Sequence, residues 1–244
     1  MGAIELILVR HGESEGNVAN ALAQGAGSEV ITVPDRDADV PLSALGTAQA
    51  RALGADVAGW DRPPEAVWCS PYTRAEQTAV LALREAGSAL PVRFDERLRD
   101  RELGVLDLLT PLGVERRFGE EAVRRRWLGK FYYRPPGGES WADMALRLRS
   151  VLRDIDDEEP GRRVLIVAHD AVIMVLRYVC ERMREADLLE LANAHAVRNA
   201  SVTRLVRPQG RGRWDVADFN ADEHLRTSGV PITEHGGTRD DLQP

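Results

Sequence analysis

Ile4-Glu5-Leu6-Ile7-Leu8-Val9-Arg10-His11-Gly12-Glu13-Ser14 decides the fold. A short, mainly apolar run from Ile4 to Val9 stops at Arg10 and His11, which is the pattern of a buried strand whose C-terminal end delivers two functional side chains. The same pattern recurs at Val164 to Ala168, the clearest buried strand in the chain, which stops at His169. It occurs again at Ala66 to Cys69, followed at once by Ser70-Pro71. Ser before Pro is a helix-start signal, so residues 71–85 are expected to be helical with Arg74 in the first turn.

Outward from these strands, residues 14–22 read as a short helix and 23–41 as a loop. Ser43 reads as the N-cap of a helix in which Leu45, Ala48, Ala52 and Leu53 recur at helical spacing. Val92 to Phe94 is a short strand, 95–107 is charged and irregular, and 114–129 is expected to be an inserted helix. Arg134-Pro135-Pro136-Gly137-Gly138 breaks the chain before a helix that Ser140 opens. Residues 171–182 form an apolar helix. Residues 200–207 and 213–219 read as an edge hairpin. Strand alternates with helix, which implies an α/β fold: a three-layer α/β/α sandwich around a mostly parallel central sheet. Residues 1–219 are expected to form one domain with a helical cover at about 105–136. From Asn220 the chain is polar and aperiodic, and 220–244 is expected to be a flexible tail.

A length of 244 residues suits one sizeable α/β domain. The net charge of −7 argues against a global pull toward nucleic acid or anionic membrane. No apolar run approaches a membrane span, and the N-terminal segment lacks the charged and apolar regions of a signal peptide, so a cytoplasmic protein is expected. Cys69 and Cys180 are the only cysteines, both in apolar stretches without metal-ligand spacing, and read as buried reduced thiols. The basic residues are nearly all Arg, which grips phosphate through two parallel hydrogen bonds.

In an open parallel sheet, ligands bind at the C-terminal strand ends. His11, His169 and the helix start carrying Arg74 all fall there. Phosphoryl transfer needs an in-line nucleophile, positive charge on the equatorial oxygens, and an acid for the leaving oxygen. A neutral imidazole can supply the first. Arg10, Arg74 and a protonated His169 can supply the second, and a carboxyl from 95–107 the third.

Leu8-Val9-Arg10-His11-Gly12-Glu13-Ser14, with Asn17 after it, resembles the Arg-His-Gly signature of the histidine phosphatase superfamily, which includes the cofactor-dependent phosphoglycerate mutases. Pro41-Leu42-Ser43, Gly46 and Gln49-Ala50 are similar to the family's second helix, and Ser70-Pro71-Tyr72-Thr73-Arg74-Ala75-Glu76-Gln77-Thr78-Ala79 to its Ser-Pro-x-x-Arg-Ala-x-Gln-Thr-Ala segment. Gly138-Glu139-Ser140, Val167-Ala168-His169 and Asn199-Ala200-Ser201 resemble further family elements in the family's order. The resemblance covers roughly residues 4–207. It implies a phosphoglycerate mutase-like fold and a phosphohistidine on His11. It implies that Arg10, Arg74 and His169 bind phosphoryl oxygens, that Asn17 stands beside the phosphate, and that Glu13 orients the pocket.

The family's proton donor is a Glu in a Leu-x-Glu-x-x-x-Gly pattern. Leu98-Arg99-Asp100-Arg101-Glu102-Leu103-Gly104 puts the shorter Asp100 in that slot. Glu102 would point the same way from an extended segment, and Asp100 is favoured over it. Asp170 replaces the family's usual Gly. It reads as the N-cap of the following helix, or as a carboxylate that holds His169 protonated or repels a second anionic group.

The expected activity is metal-independent hydrolysis of a small phosphorylated metabolite, without cofactor. Phosphoglycerate mutase-type transfer is the alternative, which would call on Arg116, Arg117, Arg124, Arg125, Arg126 and Lys130 in the cover. A metal-dependent phosphohydrolase built on His169-Asp170 lacks convincing further ligands in His195, His224 and His235. A phosphate-binding non-enzyme is a further alternative. Cover aromatics such as Phe118, Trp127 and Phe131 could form an apolar wall for a larger substrate, although packing onto the core is the commoner fate of such residues. An edge-to-edge homodimer is a family-level expectation.

Overall fold

The computed structural model describes residues 1–235. Its centre is one six-stranded sheet. The strands are β1 (Glu5–Arg10), β2 (Ala66–Cys69), β3 (Val92–Phe94), β4 (Arg163–Ala168), β5 (Val202–Val206) and β6 (Asp215–Ala221), in spatial order β3-β2-β4-β1-β5-β6. The first four are mutually parallel, while β5 and β6 run antiparallel as the edge hairpin expected from the sequence.

Period-two alternation sorts the buried strands between two cores. Leu6, Leu8, Trp68, Val164 and Ile166 face one core, which includes Met144 and Leu148 of α6 (Trp141–Glu158) and Ile173 of α7 (Asp170–Cys180). Ile7, Val9, Val67, Cys69, Leu165 and Val167 face the other, with Leu53 of α2 (Ala44–Ala58) and Ala79 of α3 (Thr73–Glu85). The expected three-layer α/β/α architecture is therefore the observed one.

Helix starts follow their caps. The Ser43 hydroxyl accepts from the Gly46 amide at 3.0 Å, and Ser140 forms a capping box with Asp143 at the start of α6. α1 (Glu15–Gly25) is capped likewise by Ser14 and Asn17. Three elements differ from the sequence reading. Helix α3 begins at Thr73, so Ser70-Pro71-Tyr72 is a turn and not its first residues. The cover is two helices, α4 (Pro111–Arg117) and α5 (Gly119–Tyr132), separated at Phe118 and kinked at Gly129. Helix α8 (Glu185–Ala194) was not anticipated.

The expected flexible tail is also corrected over 220–235. Asn220 and Ala221 complete β6, and α9 (Glu223–Thr227) follows. Leu225, Val230 and Ile232 pack onto Ala52 and Ala200. Thr233 bonds through its carbonyl to the Asn199 amide at 3.1 Å. The segment is too short and extended to show periodicity, yet buries enough apolar surface to dock. The rest of the expected tail, 236–244, lies outside the described residues.

Gly12 and Gly46 let α2 press against the loop after β1. A Cβ on Gly46 would stand 1.9 Å from the Glu13 carbonyl oxygen, a backbone atom that cannot turn aside. Gly46→Ala should therefore destabilise the protein by about 3 kcal/mol through overpacking, although helix propensity alone favours Ala by about 1 kcal/mol. A denaturant titration checks this, and an unchanged or raised midpoint would contradict the close approach.

Candidate active site

Three parallel strands end in register and set the site. Arg10 pairs with Ala168 across β1 and β4, and Cys69 with Val167 across β2 and β4. The next residues, His11, His169 and Ser70, therefore stand side by side at the C-terminal edge. The backbone amides of His11 and Ser70 continue the ladder to Ala168 and Val167, each at 2.9 Å. The His11 and His169 rings lie 5.2 Å apart, centroid to centroid.

His11 is buried, and its Nδ1 lies 2.7 Å from the Gly12 carbonyl oxygen. A carbonyl only accepts, so Nδ1 carries the proton and donates. Nε2 therefore presents the lone pair. Burial, then Arg74, His169 and Arg10, hold the His11 pKa well below its ordinary value. The imidazole is thus neutral, as a nucleophile requires.

His169 is fully buried at the N-cap of α7, and its Nε2 and the Ser70 hydroxyl are hydrogen-bonded at 2.8 Å. Its Nδ1 has no hydrogen-bond partner, standing 3.4 Å from Asp100 Oδ2. Burial, then Arg74, Arg10 and Arg147, lower its pKa well below the ordinary value. Burial first, and the guanidiniums after it, thus disfavour the protonated His169 that the sequence reading offered.

Arg10 is buried and donates from Nη1 to the Val197 carbonyl and from Nη2 to the His235 carbonyl at 2.9 Å, leaving Nε without a partner. Arg74 is also buried, at the first turn of α3. Its Nη1 donates to the Asp37 carbonyl at 2.5 Å, and its Nη2 to Asp37 Oδ2 at 3.0 Å. Asp100 Oδ2 lies 3.4 Å from the same Nη2. Asp100 thus touches both Arg74 and His169. Glu102 is exposed and turns instead toward Tyr72, whose hydroxyl donates to Oε1 at 3.3 Å.

The flanking residues hold the loop. Glu13 Oε1 accepts from the Ser43 hydroxyl at 2.8 Å, and Oε2 lies 3.1 Å from His235 Nε2. Asn17 Oδ1 accepts from the Ser14 amide at 3.1 Å and from Asn199 Nδ2 at 3.3 Å. Asp170 is not the N-cap of α7 but its first residue, with Oδ1 accepting from the Val197 amide at 3.2 Å. Burial raises its pKa, against the pull of Arg10. Ser70, Asp37 and His235 were missed as site residues. Ser70 could have been found from its place directly after a strand, whereas nothing in the sequence pairs Asp37 with Arg74.

In the cover, Phe131 and Tyr133 are buried, and Phe131 belongs to the main core. Trp127 is 82% exposed on α5. Among the described residues, no group of three or more His, Cys, Asp or Glu side chains is arranged to hold a metal ion, and no helix is long and apolar enough to cross a membrane.

The buried neutral histidines set an expected pH dependence. A histidine whose folded pKa lies below the unfolded value of about 6.5 binds fewer protons folded than unfolded between the two values. Stability is then complete above about 6.5 and falls as the pH drops below it. His224 adds to the effect, its pKa lowered by burial. The melting temperature should fall on acidification from neutral pH. In an NMR titration His11 and His169 should remain neutral through about pH 6.5. Ordinary midpoints for both would contradict the assignment.

The histidine phosphatase superfamily (branch 1) model matches residues 6–222. The chain is 35% identical to 2,3-bisphosphoglycerate-dependent phosphoglycerate mutase 2 of Gloeobacter violaceus over 182 residues, 70% of this chain and 73% of that protein. The solved mycobacterial glucosyl-3-phosphoglycerate phosphatase is similar with a TM-score of 0.70 and 28% identity, over 90% of this chain and 99% of that one. A putative α-ribazole-5'-phosphate phosphatase from Escherichia coli shares the fold, with a TM-score of 0.73 at 21% identity over 90% of this chain and 97% of that one. The ordered strand ends, the paired histidines and the family match agree, and this chain belongs to the histidine phosphatase superfamily, branch 1.

Proposed function

We propose that this protein is a metal-independent phosphatase that hydrolyses a small phosphomonoester through a phosphohistidine on His11. The observation that carries this reading is the fixed tautomer of His11, whose unprotonated Nε2 lies in a buried cluster with Arg10, Arg74 and His169.

The phosphoryl group sits between the two arginines, with its oxygens on their N–H groups and on His169. His11 Nε2 attacks phosphorus in line as the bond to the ester oxygen breaks. The departing electron pair stays on that oxygen, which takes a proton from Asp100. Asp100 then removes a proton from water, which attacks phosphorus and returns His11 to its neutral form. Asp100 is favoured over Glu102 because its Oδ2 lies 3.4 Å from both Arg74 and His169.

The mutase reading has support in the 35% identity to the Gloeobacter enzyme. Against it, Arg116 and Arg117, part of the expected basic cover, both turn onto Glu29, at 3.1 and 2.8 Å. The test is phosphate release from an aryl phosphate and from 3-phosphoglycerate with its bisphosphate primer, in excess chelator. Release from the aryl ester and no isomerisation are expected. Isomerisation faster than hydrolysis would replace the reading.

A further inference from the structure

Arg74 is buried and already held by a carboxylate, an unusual arrangement for a side chain that grips phosphate. Both terminal nitrogens donate to Asp37, which belongs to the short 3-10 turn Asp37–Asp39 in the loop before α2. Phosphoryl oxygens must share or displace that contact. Other carboxyls stand close by. Asp100 touches Arg74, and Glu102 accepts from Tyr72, whose ring lies 5.2 Å from that of His169. Burial raises the Tyr72 phenol, as do Glu102, Asp100 and Asp37.

The basic side chains around this rim have other engagements. Arg36 is paired with Asp39 at 2.6 and 2.9 Å. Arg99 and Arg147 bind Glu139, at 2.7 and 2.9 Å. Arg101 donates to the carbonyls of Glu139 and Tyr133, and Lys130 lies over the Trp141 ring at 4.9 Å. Arg10 and Arg74 therefore suffice for one phosphate dianion, but a second anionic group on the substrate meets carboxylates.

We propose that Asp37, which stands against Arg74, is a specificity-determining residue that restricts this site to phosphomonoesters of uncharged alcohols: with Glu102 on Tyr72, it repels a carboxylate or second phosphate on the substrate. The inference rests on the phosphatase reading for its site and names the substrate class of that site. Discrimination arises from the repulsive element against the wrong ligand. A neutral polyol also finds hydrogen-bond acceptors in the same carboxylates.

The experiment uses two probes of similar size, glycerol 1-phosphate and 3-phosphoglycerate, which differ in the carboxylate. Their dissociation constants are measured by calorimetry on His11→Ala, where neither can be turned over, and again with Asp37→Asn added. The first protein should bind glycerol 1-phosphate about 10-fold more tightly. Asp37→Asn should close most of that gap by strengthening 3-phosphoglycerate binding, and Glu102→Gln, at an exposed position, should narrow it less. Equal affinity on His11→Ala, or a gap that Asp37→Asn leaves intact, would overturn the proposal. Selective binding without hydrolysis by the wild type would sink the phosphatase reading alone. Hydrolysis of both esters with equal kcat/KM would sink this inference alone.

Discussion

Replacing His11 by Ala should lower kcat for phosphomonoester hydrolysis by about 10⁴-fold or more, with a far smaller change in substrate affinity. Nε2 is the atom that forms the new bond, and no other unprotonated nucleophile shares its position. The His169 ring is 5.2 Å away, and its Nε2 is engaged with Ser70. Arg10 and Arg74 are held by contacts to Val197, His235 and Asp37 that do not involve the His11 ring, so phosphate binding should survive the substitution. Phosphate release by wild type and variant, each in excess chelator, checks this. Wild-type activity abolished by chelator and untouched by the substitution would instead point to a metal-dependent phosphohydrolase.

Asp100→Asn should lower kcat by about 10²- to 10⁴-fold for a substrate with a poor leaving group, because protonation of the leaving oxygen contributes on that scale. The effect should shrink for an aryl phosphate, whose leaving oxygen needs less protonation. Glu102→Gln should change kcat little, since Glu102 is exposed and its carboxylate lies against Tyr72 at 3.3 Å and Arg99 at 3.6 Å. The two substitutions, compared on an alkyl and an aryl ester, separate the roles. A larger loss from Glu102→Gln, or a loss from Asp100→Asn equal on both esters, would contradict the assignment.

The sheet was legible because its central strands are buried on both faces and so read as continuous apolar runs. The functional residues followed because each run stops at a polar residue on the same edge. Helices opened by Ser43 and Ser140 announced themselves through their caps. Helix α8 did not, because Arg184 precedes it and Leu188 is its only buried residue. The docked segment after Asn220 was also hidden. His235, in the segment whose composition reads as a tail, lies against Glu13 and offers its carbonyl to Arg10, contacts separated by more than two hundred positions in the chain. Asp37 was equally invisible. Its hold on Arg74 depends on how the loop before α2 crosses the start of α3, and composition carries no trace of that. The environment of His169 is likewise illegible in the sequence: the adjacent Asp170 is visible there, while full burial beside Arg74 and Arg10 is not.

The most direct test of the central claim is rapid quenching of the wild type with a radiolabelled phosphomonoester in excess chelator, followed by mapping of the label. A transient phosphoenzyme that is acid-labile and alkali-stable, with its label on His11, is the predicted result. Substrate hydrolysis at full rate with no label on His11 would contradict it.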